Sequence, residues 1–151
     1  MPDLIDMAYV DEASDGNADL KRELLSLFME QLESQPDLMK KLADTTDYDS
    51  LAKTAHKFKA SALYMGMSEM AIALKKLEIV SKKLYVRSDS TGLSATDKML
   101  YINQINGLTE DLDKWTDANL SHEGVLCLIN FCKLQSQLAI KETQQFLTHM
   151  A

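Results

Sequence analysis

Three histidines occur in the 151-residue chain, and the first sits in the segment KTAHKFKASALYMGM, residues 53–67. His56 there has Lys53, Lys57 and Lys59 within three positions on either side. Nearby cations disfavour protonation of an imidazole and so keep it neutral. A neutral imidazole next to ammonium groups suits a nucleophile that afterwards carries negative charge. On a helix, residues three apart are neighbours, so Lys59 can reach the oxygens of an anionic group attached to His56. Lys53 and Lys57 add positive field, although lysines at such positions are more often plain solvated charges.

Other chemistries find little support. Cys127 and Cys132 lie five apart in an apolar stretch, unlike the spacing of a metal site, and read as reduced core residues. His122 and His149 fall near helix ends with no ligand partners close in sequence, so no metal is expected. No Gly-rich phosphate loop or nucleophile–base constellation is present. The chain carries a net charge of −7, which argues against a general nucleic-acid binder. No apolar run approaches the ~18 residues of a membrane span, and the acidic N-terminus is unlike a secretory leader. A cytoplasmic protein is expected.

The elements that must hold His56 read as helices. Two prolines and five glycines leave long uninterrupted stretches, and no segment alternates as a strand would. A short helix is predicted over residues 3–10, with SDGN, residues 14–17, as a turn. A second helix starts near Asn17 or Asp19, with Leu20, Leu24, Leu27, Phe28, Leu32, Leu38 and Leu42 on its apolar stripe and a kink or stop at Pro36. A third runs from about Tyr48 to Met65, with Leu51, Ala55, Phe58, Ala62 and Met65 facing inward and Gly66 ending it. A fourth spans about 68–86 and buries Leu74, Leu77 and Leu84. RSDSTGLS, residues 87–94, is a loop. A fifth helix covers 96–118 with Ile102, Ile105, Leu108, Leu112 and Trp115 as its seam. A last one covers 122–149 with Val125, Leu128, Ile129, Cys132, Leu138, Phe146 and Leu147. Amphipathic helices with short links imply an antiparallel bundle in one domain over residues 1–151.

Between about residues 4 and 118 the chain resembles the histidine-containing phosphotransfer (HPt) domain family. The resemblance rests on AHKFKASALYMGM followed by LKKLE, which place Ala55, His56, Phe58, Lys59, Gly66, Leu77 and Glu78 at family positions. DGNADLKRELLSLFMEQL resembles the start of the first long bundle helix, and LIDMAYVDEASDGN the short lead-in. One departure stands out: Ala60 occupies a position that is often glycine, and its single methyl group falls in the partner-docking surface.

The resemblance implies an all-α, antiparallel four-helix bundle with a short N-terminal helix and an extra C-terminal helix. On this reading residues 96–118 form the fourth bundle helix and 119–151 an accessory; the reverse assignment stays open. It also implies a phosphocarrier rather than an enzyme. His56 would accept a phosphoryl group from a receiver-domain aspartate and pass it to another, with Lys59 stabilising the phosphoryl charge. The partners would be receiver domains of a hybrid histidine kinase and a response regulator. No cofactor is expected in the chain itself, since Mg²⁺ would sit in the receiver. Lys53, Lys57, Ala60, Met67 and Glu78 would form the partner surface or support the site from behind. A monomer is expected over a dimer. The alternative is an HPt-like helical module that binds receivers without carrying phosphate. Residues 52–83 hold seven lysines against two acids on an otherwise acidic chain, a polarity that would steer this hairpin towards an acidic aspartate pocket.

Overall fold

A computed structural model of the chain describes residues 5–87 and 95–150, all regular elements of which are helices. The expected loop at 87–94 lies, but for Arg87, outside the described residues. Helix α1, Met7–Ala13, is capped by the Asp6 carboxylate on the Ala8 amide, and starts and ends later than the predicted 3–10. Helix α2, Ala18–Asp44, is capped by Asn17. It does not stop at Pro36, which lies buried within it.

The core-facing stripe of α2 is Leu25, Phe28, Leu32, Pro36, Met39 and Ala43. Leu20, Leu27 and Leu38, expected on that stripe, are exposed. They share a flanking face of the helix, about a third of a turn round at 3.6 residues per turn. The sequence therefore offers two apolar stripes, and only one is covered by neighbouring helices.

Helix α3, Tyr48–Tyr64, begins at Asp47, whose side chain accepts from the Ser50 amide, and buries Leu51, Ala52, Ala55, Phe58 and Ala62. It ends at Met65, followed by Gly66 at φ +70°. A Cβ on Gly66 would stand 2.4 Å from the Asp6 Cβ, so glycine meets both a backbone and a packing demand here. The Asp6 amide bonds the Met65 carbonyl at 2.9 Å, which ties the N-terminal segment to this turn. Helix α4, Ser68–Arg87, then returns along α3.

The expected single helix over 96–118 is two helices, α5, Ala95–Asn106, and α6, Glu110–Ala118. Gly107 and the N-cap Thr109 divide them, and Glu110, Asp111 and Asp113 follow in the first turn of α6. That is the signature of a new helix start, with acids near the positive end of the dipole. The expected seam from Ile102 to Trp115 is only half-buried, because α5 and α6 pack chiefly on the outer side of α4. Lys83 fastens α6 there. Its buried ammonium lies 2.7 Å from Asp113 Oδ1, 2.8 Å from Thr116 Oγ1 and 2.8 Å from Asp117 Oδ1.

Helix α7, His122–Met150, is the fourth member of the bundle, not an accessory. It packs against α2 and α4, closing the ring α2–α3–α4–α7. Its direction follows from its contacts: His122 lies 3.9 Å from Asp44 at the end of α2, Ser136 meets Met70 near the start of α4, and Glu142 accepts from the Ile5 amide. It therefore runs antiparallel to both α2 and α4. Its buried seam is Val125, Ile129, Cys132, Ser136, Ala139 and Thr143, alternating steps of four and three as in bundle packing. Leu138, expected in that seam, is exposed. So is Cys127, whereas burial pushes the thiol of Cys132 up to about 12. Among the described residues no helix is long and apolar enough to cross a membrane.

Candidate functional site

Helix α3 turns Ala55 and Phe58 into the core, and the same register turns His56 outward. The imidazole is 65% exposed at its side chain, yet it is not loose. Its Nδ1 lies 2.9 Å from Oε1 of Glu78, on the facing side of α4. The Glu78 side chain is only 9% exposed. Lys59 donates to the same oxygen at 3.3 Å, and Lys82 donates to Oε2 at 2.6 Å. One carboxylate thus gathers an imidazole and two ammonium groups.

Burial by itself would raise the Glu78 carboxyl. The hydrogen bonds from Lys82 and His56, with the charges of Lys82 and Lys59, outweigh it and hold the group below the usual carboxylate range. Glu78 is therefore ionised at neutral pH and can only accept hydrogen bonds. Nδ1 must then carry the proton, which leaves the lone pair on Nε2. The bond to Glu78 fixes both the tautomer and the ring orientation, as a carboxylate does for a metal-bound or catalytic histidine. What results is an exposed, oriented imidazole, nucleophilic at Nε2, beside paired cations that can meet an anion.

Of the residues singled out from sequence, His56, Lys59 and Glu78 converge. Lys53, one turn before His56, pairs with Asp49 at 3.1 Å and does not line the cavity beside the imidazole. Lys57 is exposed next to His56 on α3 but does not line the cavity beside it. Ala60, one turn beyond His56, lines an apolar groove of about 580 Å³ with Tyr9, Ala13, Leu63 and Tyr64. Met67, expected at the partner surface, is buried at the α3–α4 turn.

Two features escaped sequence reasoning. Lys82 is the nearest partner of Glu78, and its signal was present: a glutamate followed four residues later by lysine is a favourable helical pair. The other is α5. Gln104, Ile105 and Leu108, at and beyond its C-terminal end, join His56 around a cavity of about 220 Å³. Tyr101 anchors the helix there. Its hydroxyl bonds Asp49 at 2.5 Å, its ring meets Tyr85 edge-on at 5.4 Å, and the Lys82 ammonium sits 5.3 Å from its centre.

The family model for the Hpt domain matches residues 23–115, more than half of the chain, and spans the part that carries His56, Lys59, Glu78 and Lys82. No curated protein and no solved structure matched the chain.

Proposed function

From the premise that the chain belongs to the Hpt domain family, we propose that it relays a phosphoryl group between receiver-domain aspartates by way of His56. Hpt domains are phosphotransfer modules of two-component signalling, carriers rather than catalysts, and they work with receiver domains. The observation that carries the finer reading is the 2.9 Å bond between Nδ1 of the exposed His56 and the buried carboxylate of Glu78.

The chemistry balances at these atoms. The Nε2 lone pair attacks the phosphorus of an aspartyl phosphate in line with the aspartate oxygen. As the N–P bond forms, the O–P bond breaks and its electron pair returns to the aspartate as carboxylate. The imidazole becomes a phosphorylated imidazolium whose positive charge is shared with Nδ1–H. Glu78 faces that proton, so its charge stabilises the state that develops, without a proton leaving. Transfer of this kind is mostly positioning and electrostatics, and Lys59 supplies positive charge for the equatorial oxygens. The Mg²⁺ that such a transfer uses would belong to the receiver. The reverse step uses the same groups, with the imidazolium as leaving group.

Docking follows from the surface around His56. The Ala60 side of α3 offers the apolar groove bounded by Tyr9, Leu63 and Tyr64, suited to an apolar helix face of a receiver. Partners would be the receivers of a hybrid kinase and of a response regulator, and the place of action the cytoplasm. The proposed carrier is a monomer. Incubation with an aspartyl-phosphorylated receiver tests the reading. The chain should acquire an acid-labile, base-stable phosphoryl group that His56→Gln does not acquire; label on the variant at wild-type level would refute it.

A further inference from the structure

We propose that the cavity between α4 and α5 is the pocket that holds the transferred phosphoryl group, with Lys75 and Gln104 as its anion ligands. This rests on His56 being the acceptor, but it assigns to the insert α5 and to Lys75 a part that the acceptor reading does not require.

The cavity, about 220 Å³, opens beside His56 and has room for several water-sized groups. Lys59, Lys75 and Lys82 line it against a single carboxylate, Glu78. Lys59 and Lys82 already bond that carboxylate, and its charge offsets part of theirs. Lys75, one turn before Glu78 on α4, is exposed and brings a further positive charge. The cavity is thus cationic in excess, and its fitting occupant is an anion attached to the one nucleophile in its wall.

Across from α4, Gln104 brings an amide that can donate to a phosphoryl oxygen. Its place is set one turn earlier, where Tyr101 is bound to Asp49 and meets Tyr85 edge-on. Ile105 and the nearby Leu108 make the rest of that wall apolar and half-buried. An apolar wall lowers the local dielectric and strengthens each charge–charge contact made against it.

The test uses the full chain phosphorylated by phosphoramidate, in which the donor P–N bond breaks and ammonia leaves as the bond to His56 Nε2 forms. The final protonation of the bound phosphoryl group is then followed by phosphorus NMR across pH. In the wild type it should fall below that of free phosphohistidine, because cations favour the dianion. In Lys75→Ala/Gln104→Ala it should rise by about half to one pH unit. Lys75→Arg should stay near wild type, and so should Asn103→Ala, whose exposed side chain does not line the cavity. Circular dichroism confirms that these exposed substitutions leave the helices intact. A double variant that titrates as the wild type does would overturn the pocket while leaving His56 as acceptor. A wild-type chain that takes no phosphoryl group at His56 would overturn the acceptor reading, and the pocket with it.

Discussion

The exposed imidazole of His56 is held by the buried carboxylate of Glu78, 22 residues further along, through a single 2.9 Å hydrogen bond. The rest of the site is arranged around that pair. Lys59 and Lys82 keep the carboxylate charged, and the charged carboxylate keeps the imidazole proton on Nδ1.

Replacement of Glu78 should therefore act on the histidine rather than on docking. In Glu78→Ala the tautomer is no longer fixed, and phosphoryl acceptance should fall by about 10- to 100-fold, the usual effect of losing a group that orients a functional histidine. Nitrogen NMR of His56 should show mainly the Nδ1–H form in the wild type and a mixture in the variant. Receiver affinity, measured by calorimetry, should change much less.

Acid should expose the same pair. The folded Glu78 carboxyl titrates below its ordinary value near 4.5, so the unfolded chain binds the proton first and stability rises with pH through that window. The contribution is complete above the ordinary value and is lost as pH falls through the lowered, folded one. Urea unfolding from pH 7 to pH 3 should show wild type more stable than Glu78→Gln at neutral pH, with the gap closing in acid. A gap that stays constant to pH 3 would mean that Glu78 does not titrate as described.

Lys59→Ala removes a cation from the oxygen that Glu78 shares with His56. Transfer from a phosphorylated receiver should slow by about 10- to 100-fold, as for loss of a hydrogen bond to a charged group. Stopped-flow transfer rates and receiver affinity separate the two possible roles. Equal losses in both would make Lys59 a docking residue.

Much of the site was legible because it is local. His56 and Lys59 lie one turn apart, and the spacing to Gly66 and Glu78 fixes the hairpin that brings α4 back beside them. Lys82 was readable as a helical pair with Glu78, but Gln104 was not, since its place depends on how an inserted helix packs. Met67 was misplaced because a methionine beside a turn reads equally well as rim or core. The fourth bundle helix was misassigned because the length of the 87–94 loop and the extent of the family resemblance favoured residues 96–118, and neither reports on packing. Large apolar residues such as Leu138 and the Ile102-to-Trp115 series suggested the seams, whereas the real seam of α7 uses Ser136, Ala139 and Thr143. The Thr143 hydroxyl is satisfied within the helix by the Ala139 carbonyl at 2.7 Å, so it can be buried there.

Removal of α7 should therefore unfold the domain. Truncation after residue 119 exposes the core faces of α2 and α4, and cooperative melting should disappear. Ile129→Ala, a milder probe of the same seam, should cost about 2–5 kcal/mol in chemical denaturation. A truncated chain that melts cooperatively and still accepts phosphate would assign the bundle to α5 and α6 instead.

The position of phosphorus on the ring tests the central claim most directly. Nitrogen–phosphorus NMR of the full chain, labelled with ¹⁵N-histidine and phosphorylated by a receiver, identifies the residue and the ring atom together. The expected result is one phosphoryl group, on Nε2 of His56, with Nδ1 still protonated towards Glu78. Phosphorus on Nδ1, or on any residue other than His56, would contradict it.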